Sequence, residues 1–340
     1  MATPYDTRPS HARAGLHISP RTRVLVSVSG DDRASFLQGL LCQDVAGQKP
    51  GTLQYGFFLS PKARILFDSW IGVLPDRILL SPSLFSAEAE AEFLAHLKKY
   101  LFFRTKATLV SETKNFLSAT LVGPDAFSLA APLFSPDREE EEGLRTLAGG
   151  GFAFLRPKAG AFEADTGSWI DLWVPADKGD SLLTSLEKSV LSRGGQLLDD
   201  TGLEVYRVER AIPTIPAELN EEHFPAEAGL DAIAVSYNKG CYVGQEPVTR
   251  LKFQGQLSRK LVGVRLIGAL QSDTPVHRPL LFPGDNTEAG SLTSLVSSLT
   301  CGTAVGLAYV KRGRWDSGEI LVDGEGHRFE LSELPLLPKE

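Results

Sequence analysis

A chain of 340 residues is too long for one ordinary hydrophobic core and calls for about two or three packed domains. Its 42% hydrophobic and 23% charged residues are those of a globular soluble protein, and no apolar run approaches the roughly 20 residues needed to span a bilayer. A net charge of −7 gives no bulk reason to expect nucleic-acid binding, and three widely spaced cysteines exclude a disulfide framework and fit a reducing compartment.

Residues 1–20 carry Arg8, His11, Arg13 and His17 but no apolar core of a signal peptide, and read as a disordered start. Arginine-rich starts also look like mitochondrial presequences, against which Asp6 and the early prolines speak. The expected location is the cytoplasm of a bacterium, or the mitochondrial matrix if the source is eukaryotic. The stretch 22–28 is an alternating β-branched strand, and Ser29-Gly30-Asp31-Asp32 supplies turn and N-cap chemistry. A helix over 33–41 places Phe36, Leu37, Leu40 and Leu41 at helical spacing. Strands over 54–59 and 64–73 form a hairpin around Ser60-Pro61-Lys62-Ala63, with another strand over 77–81. An amphipathic helix over 86–100 sets Phe93, Leu94, Leu97 and Leu101 on one side, before a strand over 105–112.

A second unit begins near Phe116. It alternates strands (117–122, 152–155, 168–174) with helices (124–133, 180–192), as a small α+β layer does. The acidic run 139–142, leading to Gly149-Gly150-Gly151, reads as an exposed loop. From Leu261, short glycine-punctuated strands (262–266, 292–297, 303–310, 319–322, 328–331) predict a small barrel.

Between these units, 202–256 mixes glycine, aromatic, thiol, amide and charge too densely for a plain core. It contains Tyr237, then Lys239-Gly240-Cys241-Tyr242-Val243-Gly244-Gln245-Glu246, then Arg250. Gly240 and Gly244 let the backbone take φ > 0 or approach a ligand closely. Lys239 favours a Cys241 thiolate if the two side chains meet. A free cysteine is more often a small buried hydrophobe, the reading for Cys42 and Cys301 in their apolar contexts. Arg250, Lys252, Arg259, Lys260 and Arg265 form either an anion site or a solvated face. The six histidines show no metal spacing, and there is no Cys-x-x-Cys, phosphate-binding loop, dinucleotide fingerprint or nucleophile elbow, so nucleotide-driven and serine-hydrolase chemistry are not expected.

The octapeptide from Lys239 to Glu246 resembles the hallmark of the YgfZ family, relatives of the glycine-cleavage T-protein (aminomethyltransferase). Val28-Ser29-Gly30-Asp31 with Phe36-Leu37-Gln38-Gly39-Leu40 is similar to the family's first strand and helix, and the run from Leu59 to Asp68 to its hairpin. Arg207-Val208-Glu209-Arg210-Ala211-Ile212-Pro213 resembles a segment shared with T-proteins. Gly290 to Ser294 and Gly306 to Val310 resemble the aminomethyltransferase barrel.

The resemblance implies an α+β, three-lobed, T-protein-like fold around a hole that holds tetrahydrofolate or a derivative. The lobes are then 21–115 plus 195–258, a discontinuous folate-binding first lobe; 116–194, a ferredoxin-like α+β lobe inserted in it; and 259–336, a C-terminal β-barrel. It also implies an accessory role in iron–sulfur cluster assembly or maintenance, linked to tRNA modification. The partners are then client enzymes or assembly proteins, with no membrane and no direct nucleic-acid contact. Cys241 is the expected functional thiol, assisted by Lys239. One thiolate cannot by itself hold an iron–sulfur cluster, so either a partner, a second subunit or a small thiol supplies further ligands, or Cys241 exchanges thiols, the simpler chemistry. Asp68 and Glu209 are the carboxylates expected to bind the pteridine edge, and Arg250 the folate carboxylate, with Tyr237 and Tyr242 stacking on a ring; each has a structural alternative as an ion pair or core aromatic. Gln245 and Glu246 are expected to fix the motif loop.

The chain departs from the pattern at Ala63 and Ala211, which replace glycines, and at Pro216. Asp68 is followed by Ser69 where T-proteins tend to show a second aspartate. Aminomethyl transfer needs a carboxylate to help activate the folate nitrogen. A tetrahydrofolate-dependent aminomethyltransferase or demethylase is therefore the alternative function, and a docking module without folate a third.

Overall fold

The computed structural model describes residues 13–19, 23–136, 142–157, 167–268, 277–284 and 287–337. The first sheet is antiparallel, in the order Leu53–Leu59, Ile65–Val73, Arg77–Ser81, Val26–Ser29 and Thr108–Ser111. Period-two alternation gives it two apolar faces. Val26, Val28, Phe58, Ile71, Ile78 and Leu80 pack beneath the helices Arg33–Gln38 and Ala87–Lys98, which contribute Phe36, Leu37, Phe93 and Leu97. The longer helix starts where Ser86 accepts a hydrogen bond from Ala89 N, satisfying one orphan donor of its first turn. The opposite face, with Tyr55, Phe57, Trp70 and Leu79, joins a core shared with the rest of the molecule.

The second sheet has the order Gln196–Leu198, Gly15–Ile18, Phe116–Gly123, Ser168–Pro175, Phe152–Leu155 and Gly143–Thr146. In Ser168–Pro175 the alternation is strict. Ile170, Leu172 and Val174 face the helices Ala126–Ala130 and Gly179–Ser192, while Trp169 and Trp173 belong to the central core on the other side. The third lobe is a closed antiparallel barrel of Arg259–Ile267, Thr303–Lys311, Glu288–Ser298, Arg278–Leu281, Ile320–Val322 and Arg328–Ser332. This is the α+β fold with a C-terminal barrel that the sequence predicts.

Several expectations need correction. Gly15–Ile18 lies inside the segment read as a disordered start, yet it is a nearly buried strand paired on both sides. With Gln196–Leu198 it belongs to the second sheet, so the chain enters and leaves that sheet outside 116–194. The expected acidic loop falls partly outside the described residues. Its last residue, Glu142, is exposed, but the strand Gly143–Thr146 follows at once. The helix expected over 124–133 ends at Ala130 in a 3₁₀ turn, Ala131–Leu133, that contains Pro132.

The helix Asp200–Glu209 is capped by Asp199, which accepts from Gly202 N at 2.7 Å. It joins the first lobe to the barrel. Arg207 Nη2 donates to Ser294 Oγ at 2.8 Å, and Glu209 Oε1 accepts from Ser298 Oγ at 2.7 Å and Thr300 Oγ1 at 3.1 Å.

Candidate functional site

A cavity of about 640 Å³ opens where the two sheets, the helix Asp200–Glu209 and the segment 212–216 converge. The first sheet contributes Tyr55, Asp68 and Trp70, and the second contributes His17, Ser118, Thr120 and Trp169, with Arg156 just beyond its strand Phe152–Leu155. Its volume and mixed walls are those of a small-molecule site. Asp68 is almost fully buried. Its Oδ2 accepts from Tyr55 OH (2.9 Å) and Ser83 Oγ (2.6 Å), and its Oδ1 from Ser83 N (2.8 Å). The Arg156 guanidinium centre lies 4.3 Å from the Trp169 ring centroid and 5.0 Å from that of Trp70. Asp171 lies behind it, buried. Burial opposes its ionisation, but Arg156 and Arg23 together hold it well below the usual carboxylate range.

The motif lies elsewhere. An outer groove of about 690 Å³ is lined by Pro61, Phe224 and the run Tyr242 to Pro247, with Arg250 and Leu251, and shares no lining residue with the cavity. Gly244 takes φ +83° as the N-cap of the helix Gln245–Gln254, and a Cβ there would stand 2.7 Å from Ser60 O in the hairpin turn. Here glycine is required both by the left-handed backbone and by the close approach. Gly240 has neither reason: a Cβ added to it would meet nothing within 4 Å.

Lys239 turns inward. Its Nζ donates to the main-chain carbonyls of Gln38 (2.7 Å), Leu41 (2.8 Å) and Gln43 (2.8 Å), which closes the motif onto the end of the first helix. Burial pushes its amine down to about 8, and the thiol it feels most is that of Cys42. Cys42 is fully buried, donates to Ala234 O at 3.0 Å, and is pushed by burial up to about 12. Cys241, by contrast, is exposed. The lysine therefore anchors the loop and leaves the thiol at the surface.

Residues 22–239 match the family model described as the GCVT N-terminal domain, and residues 259–337 match the glycine cleavage T-protein C-terminal barrel domain. The chain is 27% identical over 286 residues to the tRNA-modifying protein YgfZ of Vibrio vulnificus, covering 83% of this chain and 80% of that one. It is 30% identical over 261 residues to the mitochondrial iron-sulfur cluster assembly factor IBA57 of Mus musculus, covering 73% and 65%. The chain belongs to the YgfZ family of glycine-cleavage T-protein relatives. The fold is that of the glycine cleavage system aminomethyltransferase T from Bartonella henselae, with a TM-score of 0.81 at 21% identity over 97% of this chain and 87% of that one.

In this member of the YgfZ family, only Asp68 of the residues expected to bind folate lines the cavity. Glu209 is fully buried at the joint with the barrel, where Ser298 and Thr300 donate to its Oε1 and Arg210 lies 3.5 Å from its Oε2. Arg250 is exposed on the outer groove and pairs with Glu246 at 3.3 Å, an i,i+4 contact on a helix surface. Tyr237 donates to Asp231 at 3.2 Å, and Tyr242 is a core residue under the motif. The five basic residues also part company: Lys252 meets Asp231, Arg259 meets Glu227, and Arg265 donates to Leu336 O.

The cavity residues that sequence reasoning missed are Tyr55, Trp70, His17, Arg23, Arg156 and Trp169, together with Asp171 behind them. They lie on strands, or just beyond their ends, far apart in sequence, with no motif of their own. The one available signal was Asp171 between two tryptophans in an otherwise apolar strand. The departures Ala63 and Ala211 both take left-handed backbone, at φ 61° and 58°, so alanine stands where the backbone itself favours glycine.

Proposed function

We propose that this protein binds tetrahydrofolate or a derivative in the central cavity and serves as an accessory factor for iron–sulfur cluster assembly or maintenance, with Cys241 as the thiol offered to the client. The names of the relatives, a tRNA-modifying protein and an iron-sulfur cluster assembly factor, support the cellular role and its link to tRNA modification. The observation that carries the reading is the separation of a ligand-sized interior cavity from an exposed thiol on the family motif.

The residues present fit the ligand. Trp70 and Trp169 offer apolar ring surfaces, and Asp68 Oδ1, which accepts only from Ser83 N, retains an acceptor position for an N–H donor of a pteridine. When bound, a tetrahydrofolate supplies a nitrogen able to carry one-carbon units; Asp68 orients its ring edge. Aminomethyl transfer receives less support. It asks for a carboxylate free to move a proton, and Asp68 is already held by Tyr55 and Ser83, with Ser69 beside it.

Calorimetric titration with tetrahydrofolate tests the first half of the proposal. Binding is expected, weakened about tenfold or more in Asp68→Asn; absence of any binding heat overturns it. Cys241→Ala tests the second half. Such cells are expected to lose iron–sulfur enzyme activity while folate binding persists, and unimpaired activity would refute the assigned role of the thiol.

A further inference from the structure

The face that the second sheet turns to the cavity carries a polar row. His17 and Asp171 are both register partners of Thr120, on the strand between them, so the three stand side by side. Two arginines converge on Asp171. Arg23 Nη1 donates to Oδ1 at 2.6 Å, while Arg156 donates to Oδ2 from Nε at 2.9 Å and Nη2 at 2.8 Å. Thr120 Oγ1 (3.0 Å) and Trp169 Nε1 (3.1 Å) fill the remaining acceptor positions. One carboxylate therefore faces two guanidinium groups, and a positive charge is left unmatched on this wall. All three side chains are about nine-tenths or more buried.

The neighbouring cations are otherwise engaged. Arg207 is outnumbered by Glu204 and Glu218, and His17 pairs with Asp200. Negative charge enters the cavity from its other walls, through Asp68 and Glu204. The unmatched cation also has donors to spare. Arg156 Nη1 and Ser118 Oγ belong to cavity-lining residues and make no hydrogen bond among the described residues. The Trp169 and Trp70 rings lie within 4.3 and 5.0 Å of the guanidinium centre and, with its burial, shield it from water, which strengthens any charge-assisted bond it makes.

We infer that Arg156, with Ser118 on the same sheet face and with Arg23 and Asp171 as positioning residues, forms an oxyanion subsite in the cavity for a carboxylate or phosphate. It rests on the cavity being the ligand site. The ligand class is then dipolar, with N–H donors toward Asp68 and an oxyanion toward Arg156. The oxyanion is either the folate's own carboxylate or that of a second small molecule bound beside it.

The test follows Trp70 and Trp169 fluorescence in the full chain during titration with inorganic phosphate, tetrahydrofolate and a tetrahydropterin lacking carboxylates. Arg156→Gln leaves Arg23 and Asp171 balanced one to one, so the fold is expected to persist, checked by near-ultraviolet circular dichroism. Phosphate affinity is expected to fall about tenfold or more in Arg156→Gln and a few-fold in Ser118→Ala. An equal loss for tetrahydrofolate, with tetrahydropterin unchanged, assigns the oxyanion to the folate; loss for phosphate alone assigns it to a second molecule. Wild-type protein that binds phosphate through Arg156 but neither pterin would remove the folate reading and keep the subsite. A folded Arg156→Gln protein that matches wild type for phosphate and tetrahydrofolate would overturn the inference. Should Arg156→Gln not fold, unchanged binding in Ser118→Ala overturns it.

Discussion

Lys239 and Cys241, two residues apart in the family motif, face different surroundings: the ammonium is bound to the carbonyls of Gln38, Leu41 and Gln43, while the thiol is exposed. The pair divides the motif's work. One residue holds the loop to the first lobe, and the other is presented outward.

Replacing Lys239 by Met leaves three main-chain acceptors without their shared donor. A stability loss of about 2–4 kcal/mol is expected, read as a shift in the urea midpoint. The gap between wild type and mutant is pH-dependent. The folded amine titrates at about 8, below its ordinary 10.5. Between those values the unfolded chain holds more protons than the folded one, so wild-type stability gains with rising pH. The difference should widen from pH 8 to 10.5 and stay flat below pH 7.

The three thiols should react in order of access. Cys241 is exposed, Cys301 is partly covered, and Cys42 is buried with its thiol pushed up to about 12. A disulfide reagent at neutral pH should modify Cys241 in a fast phase that disappears in Cys241→Ala. Cys42 should react only after denaturant is added.

The two motif glycines should respond differently to alanine. At Gly244 a Cβ meets Ser60 O at 2.7 Å on a backbone at φ +83°, and a loss of about 2 kcal/mol or more is expected. Gly240→Ala should fall within about 0.5 kcal/mol of wild type, since nothing lies near the added methyl. Thermal unfolding of the two variants side by side reads the contrast.

Asp171→Asn removes the carboxylate shared by Arg23 and Arg156 and leaves two buried cations facing each other. A loss of about 3–5 kcal/mol is expected in chemical denaturation. In the wild type the carboxyl is held below its ordinary 3.8. Its contribution is therefore complete above that value and fades only as pH falls beneath it, so acid unfolding should begin earlier in any variant that lacks one of the arginines.

The sequence by itself determined the lineage and most of the elements. Arg77–Ser81 and Phe152–Leu155 were legible to the residue because apolar periodicity and turn residues are local properties of the chain. It also marked Cys241, since the octapeptide is contiguous. Only the tertiary structure decided where the candidate cavity lies. Tyr55, Asp68, Arg156 and Trp169 meet through strand pairing between distant segments, and no local pattern encodes which strand faces of two sheets will enclose a space. Tertiary packing also reassigned Glu209 to the barrel joint, Arg250 to the surface and Lys239 to three carbonyls. A charged residue in a motif reads the same whether it binds a ligand or closes the fold, and the difference lies in what surrounds it once burial has fixed its neighbours.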